Sequence, residues 1–194
     1  MKRNSISGVI IALLLLSIQG CVPVIPAARP FVYDGAHNGR VVDADTGEPI
    51  EGVVVLGVWR SEFATPAGGV SDFYDAREAV TDKNGDFSIP GQGARIFSNI
   101  SPMRALIFKT GYKYEDFWWH SLKKGRGQRM NVKWEGDKPI IPLKKLSMEE
   151  RRRQEVPFPS EAYRKKKIPL LMKEINKEES QFGRAPYPVE EWLQ

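Results

Sequence analysis

The chain has 194 residues, 41% of them apolar, with 29 lysines and arginines against 24 aspartates and glutamates. A net charge of +5 is too small for a nucleic-acid footprint, and the apolar share is that of a chain able to bury a core. The single cysteine excludes an internal disulfide framework.

Residues 1–20 have three parts: a basic start at Lys2 and Arg3, an unbroken apolar run from Val9 to Leu16, and a small-residue exit ending in Gly20. This is the layout of a secretory signal, and its apolar run is too short for a comfortable membrane span. Ile18-Gln19-Gly20-Cys21 resembles the lipobox of bacterial lipoproteins. The resemblance implies cleavage after Gly20, lipidation of Cys21 and attachment to the membrane through it. Val22 rather than aspartate after the cysteine implies the outer membrane of a Gram-negative envelope. Loss of Lys2 and Arg3 leaves 27 basic and 24 acidic residues, a net charge of +3. Residues 21–37, with Pro23, Pro26 and Pro30, read as a tether. Residues 22–35 in polyproline form would reach about 40 Å.

Strand-like patterns begin near Asn38. Gly39 to Ala44 is a short strand, Asp45 to Pro49 a turn, and Ile50 to Trp59 a longer strand with apolar residues on both faces, as in a well-covered central strand. Residues 61–76, with Pro66, Gly68 and Gly69, read as a long loop. Arg77 to Thr81 and Asp86 to Ile89 are strands joined by Asp82-Lys83-Asn84-Gly85, a strong hairpin signal. Met103 to Lys109, Tyr112 to Trp119, Arg129 to Trp134 and Lys138 to Leu143 complete about seven strands. Pro139 and Pro142 assign the last to an edge, because proline cannot donate to a ladder.

The segments Gly39-Arg40-Val41-Val42-Asp43, Thr46-Gly47-Glu48-Pro49-Ile50, Gly52-Val53-Val54-Val55, Thr81-Asp82, Gly85-Asp86-Phe87 and Gly111-Tyr112 together resemble the carboxypeptidase regulatory-like domain. The resemblance covers about residues 38–115. It implies a mainly β fold, a transthyretin-like β-sandwich over residues 38–146, and no catalytic residues. In the carboxypeptidases the zinc site belongs to a separate domain, and nothing in this chain matches it.

Residues 147–194 read as a helical extension. Ser147 and Glu150 have capping-box spacing at the head of a charged helix, Met148 to Glu155. Ser160 is a candidate cap for a second helix. Pro169 is either a kink or the first turn of a new helix, with Leu170, Leu171, Ile175 and Phe182 on one face. Residues 186–193 are expected along the surface of the domain.

Few residues point to chemistry. Asp82, Asn84 and Asp86 alternate as calcium ligands do, but the distal glutamate is missing, so turn chemistry is the better reading and no metal or cofactor is expected. His37 and His120 lie in no zinc motif, and neither has a nucleophile pattern beside it. Tyr112, Tyr114, Phe117, Trp118 and Trp119 form the densest aromatic cluster. Tyr112, Tyr114, Trp118 and Trp119 are the candidate binding residues, and core packing is the competing reading. Arg151 to Arg153 and Lys165 to Lys167 read as solvated helix faces. The expected role is a non-enzymatic binding or assembly module at the envelope, with a protein or glycan partner and no nucleic acid. A carbohydrate-binding module is the alternative, and a hydrolase the weakest reading.

Overall fold

The computed structural model describes residues 29–65 and 68–189. Residues 1–28, which hold the expected signal segment, Cys21 and the first eight residues of the expected tether, lie outside the described residues, as do 66–67 and 190–194. The protein is mainly β, with short helices toward the C-terminus. Ten strands are described: β1 (Arg29–Asp34), β2 (His37–Asp43), β3 (Val54–Thr65), β4 (Gly68–Val80), β5 (Asp86–Ile89), β6 (Gly93–Ser98), β7 (Arg104–Phe108), β8 (Glu115–Trp118), β9 (Lys133–Glu135) and β10 (Lys138–Leu143). Two sheets have four strands each, ordered β5-β2-β10-β9 and β4-β3-β7-β8, and β1 pairs with β6 in a separate ribbon.

The two large sheets face each other across one apolar cluster. Val41, Phe87, Ile89, Ile141 and Leu143 come from the first sheet, and Val55, Trp59, Ala105, Ile107 and Phe117 from the second. The opposite face of the second sheet carries Val54, Leu56, Val58, Leu106 and Phe108, and the C-terminal helices cover it. The two apolar faces of β3 thus serve two cores, one toward the other sheet and one toward the helices.

Both sequence segments read as strand pairs are corners between sheets. β2 and β3 belong to different sheets, as do β4 and β5. Thr81, 3% exposed, stitches the corners together: its hydroxyl donates to the Ile50 carbonyl at 2.7 Å and accepts from the Val53 amide at 2.8 Å. Gly85 has φ 74°, and a Cβ there would collide with the Val41 carbonyl and crowd Pro49. Only glycine meets both demands. Asp82 organises this turn by accepting from the amides of Asn84 and Asp86.

The structure corrects several expectations. Of residues 61–76, the described ones (61–65 and 68–76) belong to β3 and β4, paired in one long hairpin that mixed polarity and glycines disguised as a loop. Arg29–Asp34, expected in the tether, is a strand paired with β6, which the sequence reading did not assign. Residues 129–134 are not one strand: a 3₁₀ helix (Trp119–Lys124) and the short helix α1 (Arg126–Arg129) precede β9. β10 lies inside its sheet between β2 and β9. Pro142 is tolerated there because β9 pairs only with Lys138 to Ile140 and stops short of it.

The C-terminal helices are α2 (Met148–Arg153), α3 (Ser160–Arg164) and α4 (Pro169–Ser180). The Ser147–Glu150 capping box forms, and its amide hydrogen bond lowers the Glu150 carboxyl to about 2. Pro159, not Ser160, stands at the cap position of α3. Pro169 opens α4 rather than kinking it. The N-cap of α4, Ile168, has no capping side chain. Glu78 of β4 supplies the acceptor instead, taking the amides of Leu170 at 3.0 Å and Leu171 at 2.7 Å. Burial raises the pKa of Glu78 against the lowering effect of those two amides. Arg151 does not share the solvated face expected of it. It forms a two-pronged ion pair with Glu178 of α4 (2.8 and 2.7 Å), with side-chain exposures of 10% and 6%. Glu178 also accepts from the Gly111 amide, and Glu174 from the Thr110 amide, so α4 grips the β7–β8 turn. Val189 is buried in the helix-side core.

Candidate functional site

A trough of about 820 Å³ lies on the open face of the β5-β2-β10-β9 sheet. Strand alternation builds it. Pro139, Ile141 and Leu143 turn inward from β10, leaving Ile140 and Pro142 in the trough, and in β2 Val41 turns inward and leaves Arg40 and Val42. The corner residues Gly47 and Pro49 wall one side, and the Arg129–Asn131 segment walls the other.

Val42, Ile140 and Pro142 form an apolar strip beside Arg40, and much of the charge that crosses and edges the trough is already paired. Arg40 contacts Asp86 through Nε at 2.8 Å and Glu135 through Nη1 at 3.1 Å, and Lys138 reaches Asp86 at 2.7 Å. Lys113 lies 3.4 Å from Glu115, and Lys144 lies 3.0 Å from Glu150. The Arg40 hydrogen bond holds the Asp86 carboxyl below its ordinary range. Asp43 is also lowered, first by the Asp45 and Thr46 amides that its carboxylate accepts. Both aspartates are therefore ionised acceptors near neutral pH, unlike a general acid or base, whose pKa is tuned toward the working pH. The trough fits an extended ligand that lays apolar groups on the strip and meets fixed charges beside it.

The four candidate aromatics do not converge. Tyr112 packs against the inter-sheet core, and its hydroxyl donates to Asp43 at 3.2 Å. Tyr114 packs on the helix-side core, and its amide donates to Gln154. Trp119 is wedged among Phe117, Phe87 and His37, with ring centroids 5.5 to 6.3 Å apart. Trp118 alone faces outward, 37% exposed, in a shallow hollow with Arg104, Asp116 and Ser121. Strand alternation made opposite directions for the tryptophans legible; which one faced out depended on the partner sheet. The trough itself was missed. Its signal was the matched alternation of residues 40–42 with residues 140–142, two segments distant in sequence.

His37 and Asp34 form a contact at 2.9 Å, the kind of pair found in hydrolytic triads. Here the other Asp34 oxygen is occupied by Trp59 Nε1 at 2.8 Å and the Gln92 amide at 2.9 Å. Burial opposes ionisation of Asp34, but the His37 and Gln92 hydrogen bonds outweigh it and lower the pKa. The pair joins β1, β2, β3 and the β5–β6 connection. His120 is exposed beside Trp118. Among the described residues, no three or more His, Cys, Asp or Glu side chains are grouped to hold a metal ion. No family model, curated protein or solved structure matches this chain.

Proposed function

We propose that the protein is a non-enzymatic binding module, anchored to the envelope membrane by lipid on Cys21, that holds an extended protein segment in the trough of the β2–β10 face. The observation that carries this reading is the trough's construction: an apolar strip of Val42, Ile140 and Pro142 beside charges that are already paired within the fold. Such a surface gains from apolar burial on the strip and selects partners by the charge beside it. The carboxypeptidase regulatory-like resemblance remains part of the proposal, since a transthyretin-like sandwich supports binding roles without a reaction centre.

The test is photocrosslinking in intact cells from position 140, with position 83 as control. A discrete protein adduct at 140 alone, lost in Ile140→Glu, supports the reading. Adducts to glycan only, or none, reject a protein partner. A second reading, glycan capture, rests on the outward indole of Trp118. It predicts that Trp118→Ala abolishes retention on cell-wall polysaccharide while Ile140→Glu does not.

A further inference from the structure

The β1–β6 ribbon carries an apolar face that the rest of the described fold leaves uncovered. On that face Phe31 is 66% exposed and Tyr33 and Ile96 are each 72% exposed; Phe97, next to Ile96, is also 72% exposed. The antiparallel register sets Phe31 opposite Ile96 and Tyr33 opposite Ala94, so these side chains share one face. The other face turns inward: Val32 and Arg95 are half-buried, and the Arg95 guanidinium stacks 4.8 Å from the Tyr74 ring centre. Phe97 has φ 52°, a left-handed conformation rare for a bulky residue, and its ring remains in solvent. Beside the ribbon, the outer part of the β3–β4 hairpin exposes Phe63 and Val70, which are paired across the two strands.

The path of the chain identifies what covers this face. β1 begins at Arg29, eight residue steps from Cys21, so the anchor lies within about 28 Å of the ribbon however the connecting residues run. Arg29 pairs with Ser98, and the carbonyl of the next residue, Asn99, accepts from Glu62 in the outer hairpin. The lipid-bearing end therefore joins the fold at the end where the exposed apolar residues gather. Aromatic side chains with a polar tip, such as tyrosine, favour the boundary between water and lipid.

We propose that the outer face of the β1–β6 ribbon, with Phe63 and Val70 of the neighbouring hairpin, rests on the phospholipid surface to which Cys21 is tethered. This rests on the lipidation reading. It makes the ribbon a second membrane contact, and two contacts fix the orientation of the sheets where a single attachment point would not.

The experiment uses the processed chain, residues 21–194, carrying Cys21→Ser, so that an introduced cysteine is its sole thiol. Ile96→Cys labelled with an environment-sensitive fluorophore is titrated with phosphatidylethanolamine–phosphatidylglycerol vesicles, and Lys83→Cys at the far corner is the control. The expected result is blue-shifted emission and quenching by lipid-borne nitroxide at position 96 alone. Phe31→Ser with Phe97→Ser, checked for an unchanged melt, should weaken vesicle binding at least tenfold. An unchanged label at position 96, or equal changes at both positions, overturns the proposal. So does a shift at position 96 that follows protein concentration without vesicles, which would mean a second copy covers the face. Flotation of the native chain, compared with Cys21→Ser, tests the lipidation reading separately. If flotation fails, the vesicle titration still decides whether the ribbon binds lipid.

Discussion

The inner and outer halves of the β3–β4 hairpin use the same ladder to different ends. From Val54 to Trp59, β3 is buried on both faces; from Arg60 outward the same strand becomes half-buried and then exposed. The change falls at a bulge. Trp59 pairs with Asp75 and Arg60 with Phe73, so Tyr74 is left over on β4 and its ring turns to Arg95. A bulge bends and twists a strand pair, and here it marks where β3 leaves the core, while Phe73 just beyond it on β4 still packs in the helix-side core. Backbone pairing therefore predicts little about side-chain energetics in this molecule. What differs is whether a second layer lies over the strands.

That contrast is sharpest under truncation. Trp59 is fully buried in the inter-sheet core, and Trp59→Ala should cost about 3–5 kcal/mol in a denaturant melt. A cost near zero would mean that the inner half is as dispensable as the outer. Next is the clamp between α2 and α4. Arg151→Ala leaves Glu178 buried without its cation and should cost about 3 kcal/mol, whereas Arg153→Ala, at an exposed pair, should cost under about 1 kcal/mol. Equal losses would show that the helical layer does not depend on the buried pair.

The adjacent tryptophans repeat the comparison on a smaller scale. Trp119→Ala should destabilise by about 2–3 kcal/mol, because its ring packs against Phe117, Phe87 and His37. Trp118→Ala should stay within about 1 kcal/mol of the parent. The reverse order would exchange their inward and outward assignments.

Acid probes the hub that ties the ribbon to the core. The folded pKa of Asp34 is depressed, so its contribution is present above the unfolded value and is lost as pH falls through the folded one. Wild-type melting temperature should fall as pH drops from about 4 toward about 2, and Asp34→Asn should remove part of that slope. Parallel pH profiles would remove Asp34 as a contributor. The smallest effect belongs to the outer half: Phe63→Ser should change stability by no more than about 0.5 kcal/mol. A larger loss would mean that the projecting hairpin supports the fold.

Features with local causes were legible in the chain alone. Two-sided apolarity marked residues 53–58 as a doubly covered strand, Ser147 and Glu150 marked a helix start, and Asn84-Gly85 marked a tight turn. Each depends on bonds or alternation within a few residues. What those elements join depends on the packed fold. The same Gly85 turn serves a hairpin or a corner between sheets, and contact with Val41 and Pro49 made it a corner. The N-terminus of α4 finds its acceptor in Glu78, more than ninety residues earlier, and no local pattern announces such a cap. The trough and the ribbon were hidden for the same reason. Each face combines strands distant in sequence, β2 with β10 and β1 with β6, and side-chain alternation alone does not reveal which strand lies alongside or whether another layer covers the face.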